Sequence, residues 1–141
     1  MFGGVSLKQK IVIVLSVIVI FLAGIAIWYN VPIDLMNLEY NEVVEIVVFN
    51  GNSGNVTHIT DKEQIQHIVE NLNTIEIRRS KLSVGYSGHS FKVTICLSDE
   101  NEIGNWKNFI INSDDTIRKD PFFYSVTKGK IDYSYIENIV E

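Results

Sequence analysis

Residues 42–73 read EVVEIVVFN, GNSGN, VTHI and TDKEQIQHIVENLN, and this run decides the fold class. The first nine residues are rich in Val and Ile, which suit a pleated, half-buried surface. They are apolar at both parities after Glu45, as a central strand covered on at least one side would be. Gly51-Asn-Ser-Gly-Asn55 collects residues that tolerate turn geometry, and 56–59 returns as a short strand, so the pair reads as a hairpin. Thr60 and Glu63 then fit a capping box, with Thr60 as N-cap. Ile65, Ile68, Val69 and Leu72 follow at i, i+3, i+4 and i+7, one apolar stripe on a helix that ends near Asn73.

Downstream, strands are expected at 75–79, 90–98, 106–111, 116–119 and 122–127. In 90–98, Phe91, Val93, Ile95 and Leu97 point one way and Ser90, Lys92, Thr94 and Cys96 the other, so one face is buried. Asp99-Glu100-Asn101-Glu102 and Asn112-Ser113-Asp114-Asp115 are polar turns. Asp132 can cap a final helix whose apolar side is Ile136, Ile139 and Val140. Short connections between consecutive strands favour a meander. The expected class is α+β: an antiparallel sheet packed with one main helix and a short C-terminal helix.

Upstream stands a different kind of segment. Lys8 and Lys10 precede eighteen residues, 11–28, that are apolar apart from Ser16 and small residues. At 1.5 Å per residue such a helix spans about 27 Å, near the hydrocarbon thickness of about 30 Å. In lipid the backbone must satisfy its own hydrogen bonds, which makes helix the expected form. Trp28 and Tyr29 suit the far interface, and the two lysines hold the N-terminus inside by the positive-inside bias. The expected organisation is a cytoplasmic N-terminus (1–10), a transmembrane signal anchor (11–29), a juxtamembrane stalk (30–41) and an extracytoplasmic α+β domain (42–141). Ile33, Leu35, Met36 and Leu38 of the stalk either rest on the membrane surface or pack on the domain. A cleaved signal peptide is the alternative, because Gly24-Ile25-Ala26 offers small residues. A lipoprotein is excluded, since Ile25 stands where the lipobox needs Cys.

Composition narrows the function. The single cysteine, Cys96, rules out an internal disulfide and any cysteine-only zinc cluster. Residues 31–141 hold ten Lys and Arg against seventeen Asp and Glu, a formal charge of −7, which argues against nucleic acid. Gly85-Tyr86-Ser87-Gly88-His89 nearly reads G-x-S-x-G, but His89 replaces the last glycine and the segment runs into a strand, not a helix. His58, His67 and His89 lack metal-ligand spacing, and neither acidic turn matches a calcium loop. No metal or other cofactor is expected. Phe122, Phe123, Tyr124, Tyr133 and Tyr135 read as core packing with the option of an interface.

One cluster stands out from the acidic background: Arg78, Arg79, Lys81, His89 and Lys92 within fifteen residues. If their strands pair, they form a cationic face beside the Gly85–Gly88 loop, suited to phosphate or carboxylate groups. Arg78, Arg79, Lys81, Ser87, His89 and Lys92 are therefore the candidate ligand-binding residues, with no catalytic residue assigned.

The Lys-flanked anchor, the Ile/Asn/Lys-rich composition, the strand–turn–T-x-x-E–helix run at 42–73 and the closing YSVTKGKIDYSYI at 124–136 resemble the small, single-pass extracytoplasmic proteins of unknown function from Gram-positive, Firmicutes-type bacteria. That resemblance implies location and architecture and brings no catalytic residue with it. The reading that follows is a membrane-anchored, non-enzymatic domain contacting a membrane-protein partner or an anionic envelope ligand, as an accessory or regulatory subunit of an envelope complex. A small envelope hydrolase using Ser87 and His89, and a sensor or immunity-type protein, are the alternatives.

Overall fold

The computed structural model describes residues 6–88, 90–98 and 108–141. They form two units: an N-terminal helix running to Val31, and a folded unit, Pro32–Glu141. The helix, α1 (Leu7–Asn30), has 24 residues and buries none of them. It starts four residues before the apolar run because Ser6 caps it. Ser6 Oγ accepts from Gln9 N (3.3 Å) and Gln9 Oε1 accepts from Ser6 N (2.9 Å). Its internal polar side chains turn back on their own backbone: Ser16 Oγ donates to Val12 O and Asn30 Nδ2 to Ala26 O. The helix is long and apolar enough to cross a membrane.

The folded unit contains eight strands: β1 (Ile33–Asp34), β2 (Val43–Asn50), β3 (Val56–Ile59), β4 (Glu76–Leu82), β5 (Phe91–Leu97), β6 (Asn108–Ile111), β7 (Thr116–Lys119) and β8 (Phe122–Lys128). Two helices, α2 (Lys62–Asn73) and α3 (Tyr133–Val140), complete it. The strands form one antiparallel sheet in the order β1-β4-β8-β7-β6-β5-β2-β3. The α+β class is the one expected from the sequence. Strands β5 to β8 form the expected meander, but β4 does not continue it. It docks on the far side of β8, and β5 pairs back onto β2. The β4–β5 connection must therefore cross β8, β7 and β6. Residues 106 and 107 of the expected strand 106–111, and the turn 99–102, lie outside the described residues.

The alternation in β5 holds: Phe91, Val93, Ile95 and Leu97 are buried. They share a core with Ile46 and Val48 of β2, the stripe Ile65, Ile68, Val69 and Leu72 of α2, and Ile136 and Val140 of α3. Both helices thus pack into the core on one face of the sheet, each fully buried aliphatic side chain contributing about 1.5–3 kcal/mol relative to exposure.

The N-cap of α2 is Asp61, one residue later than the expected Thr60. Asp61 Oδ1 accepts from Glu63 N (3.1 Å) and Gln64 N (3.0 Å). A carboxylate at the positive end of the helix dipole is a stronger acceptor than a hydroxyl, and here it holds two of the free amides. Asp61→Ala is therefore expected to lower stability by about 1 kcal/mol, whereas Thr60→Ala should leave the urea midpoint nearly unchanged. Equal losses at the two positions would contradict this assignment.

Of the two readings of the stalk, packing on the domain is what the structure shows. Ile33 and Asp34 pair with Ile77 and Glu76. Leu35 is fully buried, and its amide donates to Ile75 O at 2.8 Å. Asn73, at the end of α2, clamps the next segment twice: Leu38 N donates to its Oδ1 and its Nδ2 donates to Leu38 O. Asn71 does the same for residues 130–132, through Lys130 O and Asp132 N. The chain passes α2 tightly there. Gly129 has φ +78°, and a Cβ on it would sit 2.9 Å from Ile75 Cδ1 and 3.0 Å from Thr74 O.

Candidate functional site

The register places one row of residues across the sheet face opposite the core. Val56 faces Phe49, Phe49 faces Lys92, Lys92 faces Ile110, Ile110 faces Arg118, Arg118 faces Phe123, and Phe123 faces Lys81. Directly opposed residues share a face, so three cations alternate with apolar side chains along seven strands. A bulge in β4 puts Lys81 in this row. The register shifts between Arg79 and Lys81, so Arg79 pairs with Tyr124 on the core side while Lys81 pairs with Phe123 on the outer side.

The β4–β5 connection runs over this row as a strap. Ser83, only 2% exposed, anchors its start: its amide donates to Pro121 O (2.8 Å) and its hydroxyl to Asp120 Oδ1. Tyr86 N donates to Ser83 O, closing a turn, and Gly85 takes φ +86° within it. The Tyr86 ring meets Phe123 edge to face at 5.1 Å. Lys81 Nζ lies 4.9 Å from the Tyr86 ring centroid and 4.8 Å from that of Phe123. Beneath the strap is Arg118, 7% exposed. Its Nη1 donates to Tyr86 O (3.1 Å) and Gly88 O (3.0 Å), while Nε stands 3.4 Å from Asp120 Oδ1, an ion pair without hydrogen-bond alignment.

Five of the six residues singled out in the sequence are described, and they fall in four places. Arg78 and Lys81 lie on the outer face of β4, and both are exposed. Lys92 is on the same face in β5, four strand spacings away, about 19 Å at the usual 4.8 Å. Arg79 points to the core side, its guanidinium carbon 6.0 Å from the Phe122 ring centroid. Ser87 is exposed in the strap, and the chain after it enters β5, not a helix. His89 lies outside the described residues. Strand pairing thus gathers Arg78 and Lys81 beside the loop and separates Lys92 from them.

Sequence reasoning missed Arg118 and Lys119. They sit in the four-residue β7 with no pattern to mark them, and only the order of β4, β8 and β7 brings them beside Arg78, Arg79 and Lys81. Burial holds the Lys119 ammonium below the usual lysine range. Lys92 borders a separate shallow groove with Val47, Phe49, Val56 and Thr94.

A second polar region joins α2, α3 and the β6–β7 turn. Lys130 Nζ pairs with Asp114 at 2.7 Å, and that hydrogen bond and charge raise its pKa. The Asp115 carboxyl lies below its ordinary value because the Ser113 and Thr116 hydroxyls donate to it. His67 Nε2 lies 2.9 Å from Asp132 Oδ2, with its ring 3.9 Å from that of Tyr135. These groups bind one another, which makes the region a fastening between elements. Among the described residues, no three His, Cys, Asp or Glu side chains gather as a metal site.

No known protein family, curated protein or solved structure matches this chain.

Proposed function

We propose that the chain is a membrane-anchored extracytoplasmic interaction domain. In this reading α1 spans a bilayer with its N-terminus inside. The folded unit stands on the outer side and presents its sheet face to an anionic ligand or a membrane-protein partner. The observation that carries it is the contrast between the two units. α1 buries none of its 24 residues and satisfies Ser16 and Asn30 within its own turns. The folded unit meanwhile closes a core of its own. A helix this apolar, with its polar side chains bonded to its own backbone, suits a lipid surrounding. Lys8 and Lys10 set its direction. The strap and row favour binding over turnover, since Arg118 fixes the strap, and cations and apolar side chains are exposed around it.

The position of α1 at the start of the chain favours one second reading, a cleaved signal sequence. Alkaline extraction of membranes, protease treatment of intact cells and the mass of the recovered protein separate the two. The anchor reading expects an uncut chain that stays with the membrane and loses its folded unit to external protease. A shortened chain cut near residues 24–26 and released from the membrane would establish the signal sequence instead. An uncut chain protected from external protease would reverse the orientation.

A further inference from the structure

The strap corner has two properties that belong together. The first is charge. Arg78 and Lys81 are exposed on the outer face of β4, and Arg118, buried under the strap, lies on the same face of β7, with only β8 between these strands. They are three of the ten Lys and Arg residues in a folded unit of formal charge −7, and Asp120 is the acid beside Arg118. The second is exposed apolar surface. Six large apolar side chains are exposed among the described residues of the folded unit. Three of them are Leu82 (60%), Val84 (76%) and Tyr86 (54%). They fall within five consecutive residues that end β4 and open the strap, and exposed apolar residues gathered on one held segment mark a contact site more than scattered ones do. Ser83 and Arg118 hold this loop before any ligand arrives, so little ordering cost remains at binding.

Connectivity says what the contact is. α1 ends at Asn30 and β1 begins at Ile33. The link between them is three Cα–Cα steps, at most about 11 Å. In the antiparallel β1–β4 pair, the chain comes into β1 from the side toward which β4 runs to Lys81 and Leu82. The cationic and apolar corner therefore lies on the side from which the tether arrives. Cations beside Tyr and aliphatic side chains match the anionic headgroup layer and the interfacial zone beneath it.

We propose that Lys81, Leu82, Val84 and Tyr86 dock on the anionic surface of the bilayer that α1 spans, with Arg78 and Lys81 meeting headgroup phosphates. This rests on the anchor reading and names the ligand of that face.

The test uses the full chain with Cys96→Ala, carrying an environment-sensitive fluorophore at Val84→Cys or, as control, at Ser53→Cys in the exposed β2–β3 turn. Each is reconstituted into phosphatidylcholine vesicles and into vesicles that also contain phosphatidylglycerol. The expected result is a blue-shifted label at 84 in the anionic vesicles, quenched several-fold more by a headgroup-depth nitroxide lipid than the label at 53. Added salt and the pair Arg78→Glu, Lys81→Glu should both reverse it, with an unchanged near-ultraviolet circular dichroism spectrum showing that the paired variant is folded. A chain that floats with the vesicles while both labels stay equally wet overturns the docking and leaves the anchor standing. An equal shift in neutral and anionic vesicles overturns the role given to the phosphates. A chain that does not float overturns the anchor reading and the docking with it.

Discussion

Replacing Phe91 by alanine is expected to cost about 4 kcal/mol of folding stability. Phe91 is 1% exposed and starts β5, opposite Asn50 of β2 and Ile111 of β6. Its ring packs 4.9 Å from that of Tyr133, centroid to centroid, so it also carries the start of α3. Truncation removes the largest apolar side chain at the junction of three strands and a helix. The strands around it are tied in register and cannot close the cavity, so both the transfer and the cavity terms are felt. Urea unfolding of the full chain in micelles, followed by near-ultraviolet circular dichroism, measures the change. Phe91→Leu should lose no more than about 1.5 kcal/mol. A Phe91→Ala loss as small as that of the leucine variant would show that α3 collapses into the space, contrary to the packing described.

Arg118→Ala is expected to cost about 2–3 kcal/mol and to free the strap. The guanidinium makes two charge-assisted hydrogen bonds to strap carbonyls and pairs with Asp120. The loss stays below that of a fully buried ion pair because Tyr86 and Gly88 are exposed and their carbonyls can turn to water. Arg118→Lys should recover less than half of it, since an ammonium lacks the planar fork that spans two acceptors. Hydrogen exchange at Tyr86 N, which donates to Ser83 O, reads the strap directly and should quicken in Arg118→Ala. Unchanged exchange there would mean that Ser83 and the Tyr86–Phe123 contact hold the strap without Arg118.

Phe91 and Arg118 also mark how far the chain can be read without coordinates. Phe91 was legible because a buried strand shows its period of two, and Phe91, Val93, Ile95 and Leu97 keep it without a break. The α2 stripe was legible for the same reason at a helical period. Arg118 was not, because one cation in a short strand carries no period. The loop at 85–88 was visible as Gly and Ser, yet nothing local said that it would cross three strands and be fastened from below. Thr60 and Asp61 can both cap, and the T-x-x-E spacing points to Thr60 although the carboxylate one residue on is the stronger acceptor. Leu35 and Met36 were ambiguous because two apolar residues after a proline fit a membrane surface or a core equally well.

Local sequence alone determined that this protein has one long apolar helix, an antiparallel β-rich unit with two amphipathic helices, and an acidic surface with a basic interruption near residue 80. Those features depend on hydrophobic periodicity and on charge, which act over a few residues. Only the tertiary structure decided that β4 sits beyond β8, that Lys92 is parted from Arg78 and Lys81, and that Arg118 joins their face. Strand order is set by long-range packing, since α2 must bury its whole stripe on one face and so carries the chain across the sheet from β3 to β4. The corner where cations and exposed apolar residues meet follows from that crossing.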